Sequence, residues 1–233
     1  REHKEPHNID VFITQIEHAD DTKGVLSARN EEELQLAEDE LLKGFSEFYS
    51  ANGLKLNEGK CHVMVIRPHK KTQDITCAGQ VEKEKIKLLG LHIDNKLQYE
   101  AHTDVVCGKI AGKLKHLEAL QGKASFKTLK EVTVSLIHST IEFCAELYLV
   151  NYRNQVKVQK KLNSTMRMLL DWGWEASCTD MMSLLNWLNI PNMRIWCCVR
   201  TLKRIMTSPG QTPNTWEVVN MNDGALHDVR YRA

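Results

Sequence analysis

Two short strands and the residues between them decide how the start of the chain folds. Ile9-Asp10-Val11-Phe12-Ile13-Thr14-Gln15-Ile16 is β-branched and largely alternating, which predicts a strand. His18-Ala19-Asp20-Asp21-Thr22 interrupts it, and Lys23 to Ala28 predicts a return strand. The adjacent aspartates are therefore expected at the tip of a β-hairpin. Because unpaired buried carboxylates are costly, they are either solvated turn residues or ligands of a hard cation such as Mg²⁺.

A helix is predicted over residues 31–51. Asn30 precedes three glutamates, which is typical of an N-cap and an acidic first turn, and Asn52-Gly53 is a stop signal. Farther along, apolar segments predict a strand over 62–66, a short hairpin over 75–81 and a strand over 86–93.

The pattern changes after Leu97, where apolar residues recur at helical spacing. Helices are predicted over 105–120, 129–144, 156–170, 181–188 and 193–206, with Pro191 separating the last two. The predicted fold class is α+β, with a hairpin, a helix and antiparallel strands in residues 1–97 and an all-α domain in residues 98–206. Residues 207–233 are predicted to form a loosely ordered tail.

Composition favours an ordinary globular protein, since 42% of the 233 residues are hydrophobic and 26% are charged. No apolar stretch is long enough for a transmembrane helix, and the polar start is unlike a signal peptide. The seven cysteines lack a zinc-site spacing, which indicates free thiols in a reducing compartment. We therefore expect an intracellular protein, nuclear or cytoplasmic, with no membrane partner.

Charge is distributed unevenly along the chain. Residues 1–97 carry 14 Lys and Arg against 18 Asp and Glu, whereas residues 98–233 carry 17 against 12. The basic second half is compatible with contact to a phosphate backbone. Arg67, His69 and Lys70-Lys71 form either a solvated basic loop or a nucleic-acid contact.

Four tryptophans and four basic residues of the second half have two interpretations each. Core packing is favoured over base stacking for the tryptophans, which lie among helical apolar residues. The basic side chains either contact phosphate or serve as helix caps and surface pairs. The tryptophans are Trp172, Trp174, Trp187 and Trp196, and the basic residues are Arg167, Arg194, Lys203 and Arg204.

The stretch His18-Ala19-Asp20-Asp21-Thr22 resembles the Tyr-Ala-Asp-Asp-Thr signature of reverse transcriptases. Further segments are similar, in order, to elements of the enzymes of non-LTR (LINE-type, jockey-like) retrotransposons. They are Gly53-Leu54-Lys55-Leu56-Asn57 with Lys60, Cys61 and Met64; Ile86 to Asp94; Lys161 to Arg167; and Leu184 to Arg194. The resemblance covers residues 10–206.

This resemblance implies the C-terminal half of a polymerase palm followed by a helical thumb. It implies that Asp20 and Asp21 are catalytic and bind Mg²⁺, and that Lys60 lies near the incoming nucleoside triphosphate. It also implies an RNA template and a DNA primer as partners. The positions implied to hold the primer and template are His18, Leu88, Leu89, Gly90 and Leu91.

The sequence also departs from the family pattern. His18 replaces the usual Tyr, and Cys61 replaces the usual Thr. The family uses a further metal-binding Asp and nucleotide-binding fingers that precede the hairpin. We therefore expect this chain alone to be catalytically incomplete, with an upstream segment or another protein covering its exposed sheet edge. The alternative is a decayed or co-opted remnant that serves as a nucleic-acid-binding or protein-interaction module.

Overall fold

The chain folds into short antiparallel hairpins followed by a mostly helical region, which confirms the predicted α+β class at this level. The computed structural model describes residues 12–18, 21–67 and 73–207. It divides into two compact units, residues 1–97 and 98–233. Residues 9–11 of the predicted first strand and the predicted tail beyond Thr207 lie outside the described residues.

The first hairpin pairs strand β1 (Phe12–His18) with strand β2 (Asp21–Ser27). The register is antiparallel and runs from Phe12 opposite Ser27 to His18 opposite Asp21. This register leaves residues 19 and 20 as the connection, so the predicted hairpin is confirmed. Asp21 opens the second strand.

Helix α1 (Glu31–Ala51) has the predicted bounds because local signals fix both ends. The Asn30 side chain accepts a hydrogen bond from the Glu33 amide at 2.8 Å, and three glutamates occupy the positive first turn. At the other end Asn52 caps the helix, and Gly53 adopts a positive φ of 70°.

The strand predicted over residues 62–66 is wrong, because this segment has no ladder of hydrogen bonds. A 3-10 turn (Glu58–Lys60) leads into it, and its Val63 carbonyl accepts a hydrogen bond from the Lys83 amide at 2.9 Å. Val65 is buried while Ile66 is exposed. The alternating pattern therefore reports which side chains pack inward, and it occurs here without pairing to a neighbouring strand.

Two small hairpins complete the N-terminal unit. Strands β3 (Thr76–Cys77) and β4 (Gln80–Val81) form the predicted short hairpin. Strands β5 (Lys85–Leu88) and β6 (Leu91–Asp94) pair with Ile86 opposite Ile93. The single strand predicted over 86–93 is therefore wrong, because Leu89-Gly90 turns the chain back on itself.

The helical unit contains three long helices and several shorter ones. The long helices are α2 (Glu100–Glu118), α6 (Tyr152–Leu170) and α8 (Ile190–Thr207). The shorter ones are α3 (Phe126–Thr133), α4 (Ser139–Glu142), α5 (Ala145–Tyr148) and α7 (Cys178–Leu185). Pro191 was predicted to separate the last two helices, but it lies in the first turn of α8. At that position an amide has no helical hydrogen-bond partner, so proline is tolerated there.

The helix predicted over 129–144 is interrupted twice. A π-helical turn (Val134–His138) joins α3 to α4, and Cys144 adopts a left-handed φ of 56° before α5. Thr133 and Ser135 donate their hydroxyl hydrogens to the carbonyls of Leu129 and Glu131, one turn back. Such bonds compete with the backbone amides and explain the departure from regular α-helix.

One continuous apolar core holds the helical unit together. Ile110, Leu117, Leu162 and Met166 are fully buried in it, and the Tyr148 hydroxyl inside it donates to the Ile141 carbonyl at 2.8 Å. Within the part of the chain that the structure describes, no helix is both long and apolar enough to cross a bilayer.

Candidate functional site

One of the two predicted catalytic aspartates, Asp21, lies at the end of the first hairpin. Asp20 belongs to the connection and lies outside the described residues. Asp21 is the first residue of β2, and its backbone is paired with that of His18. This register brings the backbones of two predicted site residues, His18 and Asp21, next to each other at the tip.

Helix α1 lies close behind this hairpin. A Cβ atom added to Gly24 of β2 would lie 2.6 Å from Leu41 Cδ2 of the helix. Real side chains do not approach so closely, so the missing side chain at Gly24 allows the helix to pack on the strand. The hairpin is thus supported by a long, well-capped helix.

A pair of side-chain hydrogen bonds fixes α1 against the next hairpin. The Gln35 side chain accepts from the Thr76 amide at 2.7 Å and donates to the Thr76 carbonyl at 3.0 Å. This amide therefore takes the place of a neighbouring strand at the edge of β3. Sequence reasoning missed it, because Gln35 and Thr76 are distant in the chain.

Lys60 ends the short 3-10 turn and is exposed. Its backbone amide donates to the Asn57 carbonyl at 2.9 Å, and the Gln80 side chain donates to the carbonyls of Glu58 and Gly59. The turn is therefore anchored on strand β4, while the Lys60 ammonium group stays accessible to an anion. No described contact joins the Lys60 side chain to the first hairpin, so its predicted role stays a prediction.

The residues predicted to hold the primer form the turn of the last hairpin. Leu88 and Leu91 pair across it, and Leu89 and Gly90 occupy the two turn positions with φ of 46° and 91°. Leu91 is buried, whereas Leu89 is 52% exposed. A left-handed conformation costs a residue other than Gly, Asn or Asp roughly 1–2 kcal/mol. An exposed apolar side chain is thus held in an unfavourable conformation at a hairpin tip, which is typical of a contact site.

Carboxylate oxygens are the ligands that Mg²⁺ prefers, so the chemistry of Asp20 and Asp21 suits this ion. Among the residues whose side chains the structure describes, no group of three or more His, Cys, Asp or Glu could hold a metal. Asp20 and Asp21 are not among these residues, and the predicted Mg²⁺ site therefore stays a prediction.

Arg67 belongs to the basic segment that the sequence assigns either to a solvated loop or to a nucleic-acid contact. Its guanidinium instead forms ion pairs with two carboxylates, that of Glu31 at the start of α1 and that of Glu82. The distance from Arg67 Nη2 to Glu82 Oε2 is 2.7 Å. Arg67 also donates to the Gln73 carbonyl at 3.2 Å. These bonds use both edges of the guanidinium, so Arg67 links the helix to the residues after β4. His69 and Lys70-Lys71 lie outside the described residues.

The buried face of α1 carries an acid next to a thiol, namely Glu38 of the helix and Cys77 of β3. Glu38 is 6% exposed, one of its oxygens has no hydrogen-bond partner among the described residues, and the Cys77 thiol is close by. Burial, above all, raises the pKa of Glu38, and it raises the pKa of Cys77 to about 12 with a further contribution from Glu38. The sequence carried a signal for this position, because Glu38 follows Leu34 and precedes Leu42 at spacings of four on the apolar helix face.

Two other open alternatives concern the helical unit. Trp187 is buried as predicted, but Trp172, Trp174 and Trp196 are exposed, which contradicts core packing for these three. Arg167 donates to the Gly173 and Trp174 carbonyls at 3.3 and 3.1 Å and thereby holds the loop after α6. Its role is therefore structural, as in the capping interpretation.

Searches against protein-family models, curated proteins and solved structures find no match to this chain.

Proposed function

We propose that this chain is the C-terminal palm half and thumb of a reverse transcriptase of a non-LTR retrotransposon. The observation that carries the proposal is the hairpin register, since it leaves Ala19-Asp20 as a two-residue connection and starts β2 at Asp21. Two adjacent carboxylates in the chain, the second of which opens strand β2 of a hairpin supported by a capped helix, suit a metal-dependent nucleotidyl transfer.

The proposed roles fall on three parts of the N-terminal unit, namely the first hairpin, the 3-10 turn and the β5–β6 turn. Asp20 and Asp21 are the proposed Mg²⁺ ligands, and the bound ions would stabilise negative charge on the reacting phosphate. Lys60 is an exposed cation at the end of an anchored turn and is proposed to neutralise the leaving pyrophosphate. Leu89, exposed and strained at the β5–β6 turn, is proposed to contact the primer terminus together with Leu88, Gly90 and Leu91.

The test is primer extension on an RNA template by the chain expressed in frame with the coding sequence before Arg1. Asp20→Asn keeps the shape of the side chain and removes its charge, so we expect extension to be lost. Asp39→Asn is the matched control, because Asp39 is exposed on α1 and its Oδ1 hydrogen bond from Gln35 can be retained. Extension that survives Asp20→Asn would refute the proposal.

A second candidate function is a co-opted module that binds nucleic acid without polymerising. It is favoured by exposed basic side chains on the neighbouring helices α2 and α6, namely Lys109, Lys115, Arg153 and Lys160. Binding through these cations releases counterions, so affinity for an RNA–DNA hybrid should fall steeply with salt. Salt-insensitive binding, measured by fluorescence anisotropy, would exclude this candidate.

A further inference from the structure

One cavity of the helical unit is lined by both indole rings and polar groups. Its volume is about 360 Å³, which is within the range of pockets that hold small molecules. Trp187, just before α8, and Trp196, on α8, contribute the indoles. Because Trp187 is 8% exposed and Trp196 is 51% exposed, the cavity extends from the core to the solvent. Its charged and titratable lining residues come from the segment between α3 and α4, namely Lys130, His138 and Glu142.

A π-helical turn aligns these polar residues. Lys130, Val134, His138 and Glu142 follow one another at intervals of four, and all four line the cavity. In an α-helix of 3.6 residues per turn, this spacing drifts around the axis by about 40° per step. The π-helical turn (Val134–His138) in the middle of the row is wider than an α-helical turn, so it offsets this drift. An amine, an imidazole and a carboxylate are therefore held along one cavity.

Each of the three polar groups has hydrogen-bonding capacity that the described residues do not use. The His138 Nε2 atom is buried and has no hydrogen-bond partner among them, which is costly without a ligand or water. Lys130 forms no ion pair within the described part of the chain. Glu142 accepts a hydrogen bond from Arg200 at 2.7 Å through Oε2, while its Oε1 accepts none from residues 12–18, 21–67 and 73–207.

The charges and the indoles together identify the class of ligand. Lys130 disfavours a purely cationic ligand and Glu142 a purely anionic one, so the ligand should carry a hydrogen-bond donor at one end and a negative charge at the other. Indole rings favour a planar ring, on which they can stack. A nucleotide combines these features, and a carboxylate can accept a hydrogen bond from the exocyclic amino group of a base such as cytosine.

We propose that this cavity binds a nucleotide whose base carries an exocyclic amino group. The base stacks on Trp196, its amino group donates to Glu142 Oε1, its ring edge contacts His138 Nε2, and Lys130 binds the phosphate. A free nucleotide and an unpaired nucleotide of a single strand present this same chemistry. The site uses none of the residues assigned to the polymerase reaction, so it stands or falls independently of the proposed function.

The first test compares nucleotides that differ only at the amino group. Isothermal titration calorimetry on the full chain measures CMP against UMP and AMP against IMP, since UMP and IMP carry an oxygen in place of the amino group. We expect at least one amino nucleotide to bind about fivefold more tightly than its oxygen counterpart. The matching hexanucleotides distinguish the two sources, because a strand ligand would bind more tightly than the mononucleotide. Equal binding within both pairs, or no binding, would overturn the proposal.

Glu142→Gln should abolish the preference for the amino nucleotide, because an amide can also donate to an oxygen at that position. Arg200→Ala is the matched control, since it breaks the same ion pair but Arg200 does not line the cavity. We expect this control to keep the preference. If Arg200→Ala lost the preference as well, Glu142 would act through its ion pair, and the proposed contact with the base would be refuted.

Two further variants test the contacts with the ring and the phosphate. Trp196→Ala should weaken binding about fivefold through lost stacking, whereas Trp174→Ala should leave it unchanged, since Trp174 is 86% exposed and outside the cavity. Lys130→Ala should weaken binding of CMP but leave binding of cytidine, which lacks the phosphate, unchanged. Circular dichroism checks that the variants fold. Folded variants of Trp196 and Lys130 with unaltered binding would place the ligand elsewhere and overturn the proposal.

Discussion

The two units of this chain are stabilised by different means. The helical unit buries one cluster of apolar side chains contributed by all its helices, with fully buried residues such as Ile110, Leu162 and Met181. In the N-terminal unit, the buried apolar residues of the described part are Ala37, Val65, Ile75, Cys77 and Leu91. Since hydrophobic burial is the dominant favourable term in folding, the N-terminal unit depends more on its polar links.

Those polar links join elements that are far apart in sequence. Gln35 ties α1 to β3, Gln80 ties β4 to the 3-10 turn, and Arg67 ties α1 to Glu82. In the helical unit, polar side chains more often finish a helix or fill a gap in an existing core, as Asn154 does by donating to the Tyr148 carbonyl at 2.8 Å. The contrast indicates that losing one polar link should harm the N-terminal unit most.

The largest effect is expected from Arg67→Ala. This change leaves the largely buried carboxylates of Glu31 and Glu82 without their common cation, so the free energy of unfolding of the N-terminal unit should fall by about 2 kcal/mol. Hydrogen exchange at increasing urea concentration can follow each unit separately.

The matched change in the helical unit is Lys157→Ala, which breaks the exposed ion pair with Asp104. Exposed pairs contribute little, so we expect a loss below about 0.5 kcal/mol. The contrast between the units would disappear if the two substitutions had equal effects.

The two units should also respond to pH in opposite directions. Burial raises the pKa of Glu38, so the folded N-terminal unit holds a proton that the unfolded chain releases. The stability of this unit should therefore fall as pH rises from the ordinary carboxyl range through the folded-state pKa. Burial lowers the pKa of His138 more strongly than Glu142 raises it, so the helical unit should lose stability as pH falls below about 6.5.

Two substitutions test these slopes by hydrogen exchange over a pH series. Glu38→Gln should flatten the slope of the N-terminal unit and make it more stable at neutral pH. His138→Phe should flatten the slope of the helical unit, while its ring can keep the edge contact with Trp187, whose ring centroid lies 4.5 Å from that of His138. A pH dependence that persists in either variant would assign it to other groups.

Local signals explain which elements the sequence predicted well. The bounds of α1 follow from Asn30, the acidic first turn and Asn52-Gly53, all of which act within a few residues. The strand predicted over 62–66 failed because an alternating pattern reports burial and cannot report whether a neighbouring strand is present. The links made by Gln35 and Arg67 could not be predicted, because they join residues more than 30 positions apart.

The candidate site could also be predicted only where it depends on local sequence signals. The hairpin around Asp20-Asp21 is a local feature, and the two strands predicted on either side of these residues pair with each other. The turn at Leu89-Gly90 was missed because leucine rarely adopts a left-handed conformation, so Leu88-Leu89-Gly90-Leu91 has the composition of a strand. The acid at position 38 was visible on the apolar face of α1, but its thiol neighbour Cys77 was not.

The last comparison sets the β5–β6 turn against the helix ends of the helical unit. Asn186 and Asp171 adopt left-handed conformations at helix ends, where such residues are common, whereas Leu89 does so at a cost. Leu89→Asn should therefore stabilise the N-terminal unit by about 1 kcal/mol, and Asn186→Ala should destabilise the helical unit by a similar amount.

The same variant separates structure from function at the β5–β6 turn. If Leu89 contacts a primer terminus, Leu89→Asn should weaken binding to an RNA–DNA hybrid even though the unit that carries it becomes more stable. Urea denaturation measures the stability of the unit, and fluorescence anisotropy measures binding to the hybrid. A more stable variant with unchanged binding would mean that the strain at Leu89 serves no contact with nucleic acid, and the proposed primer contact would have to lie elsewhere.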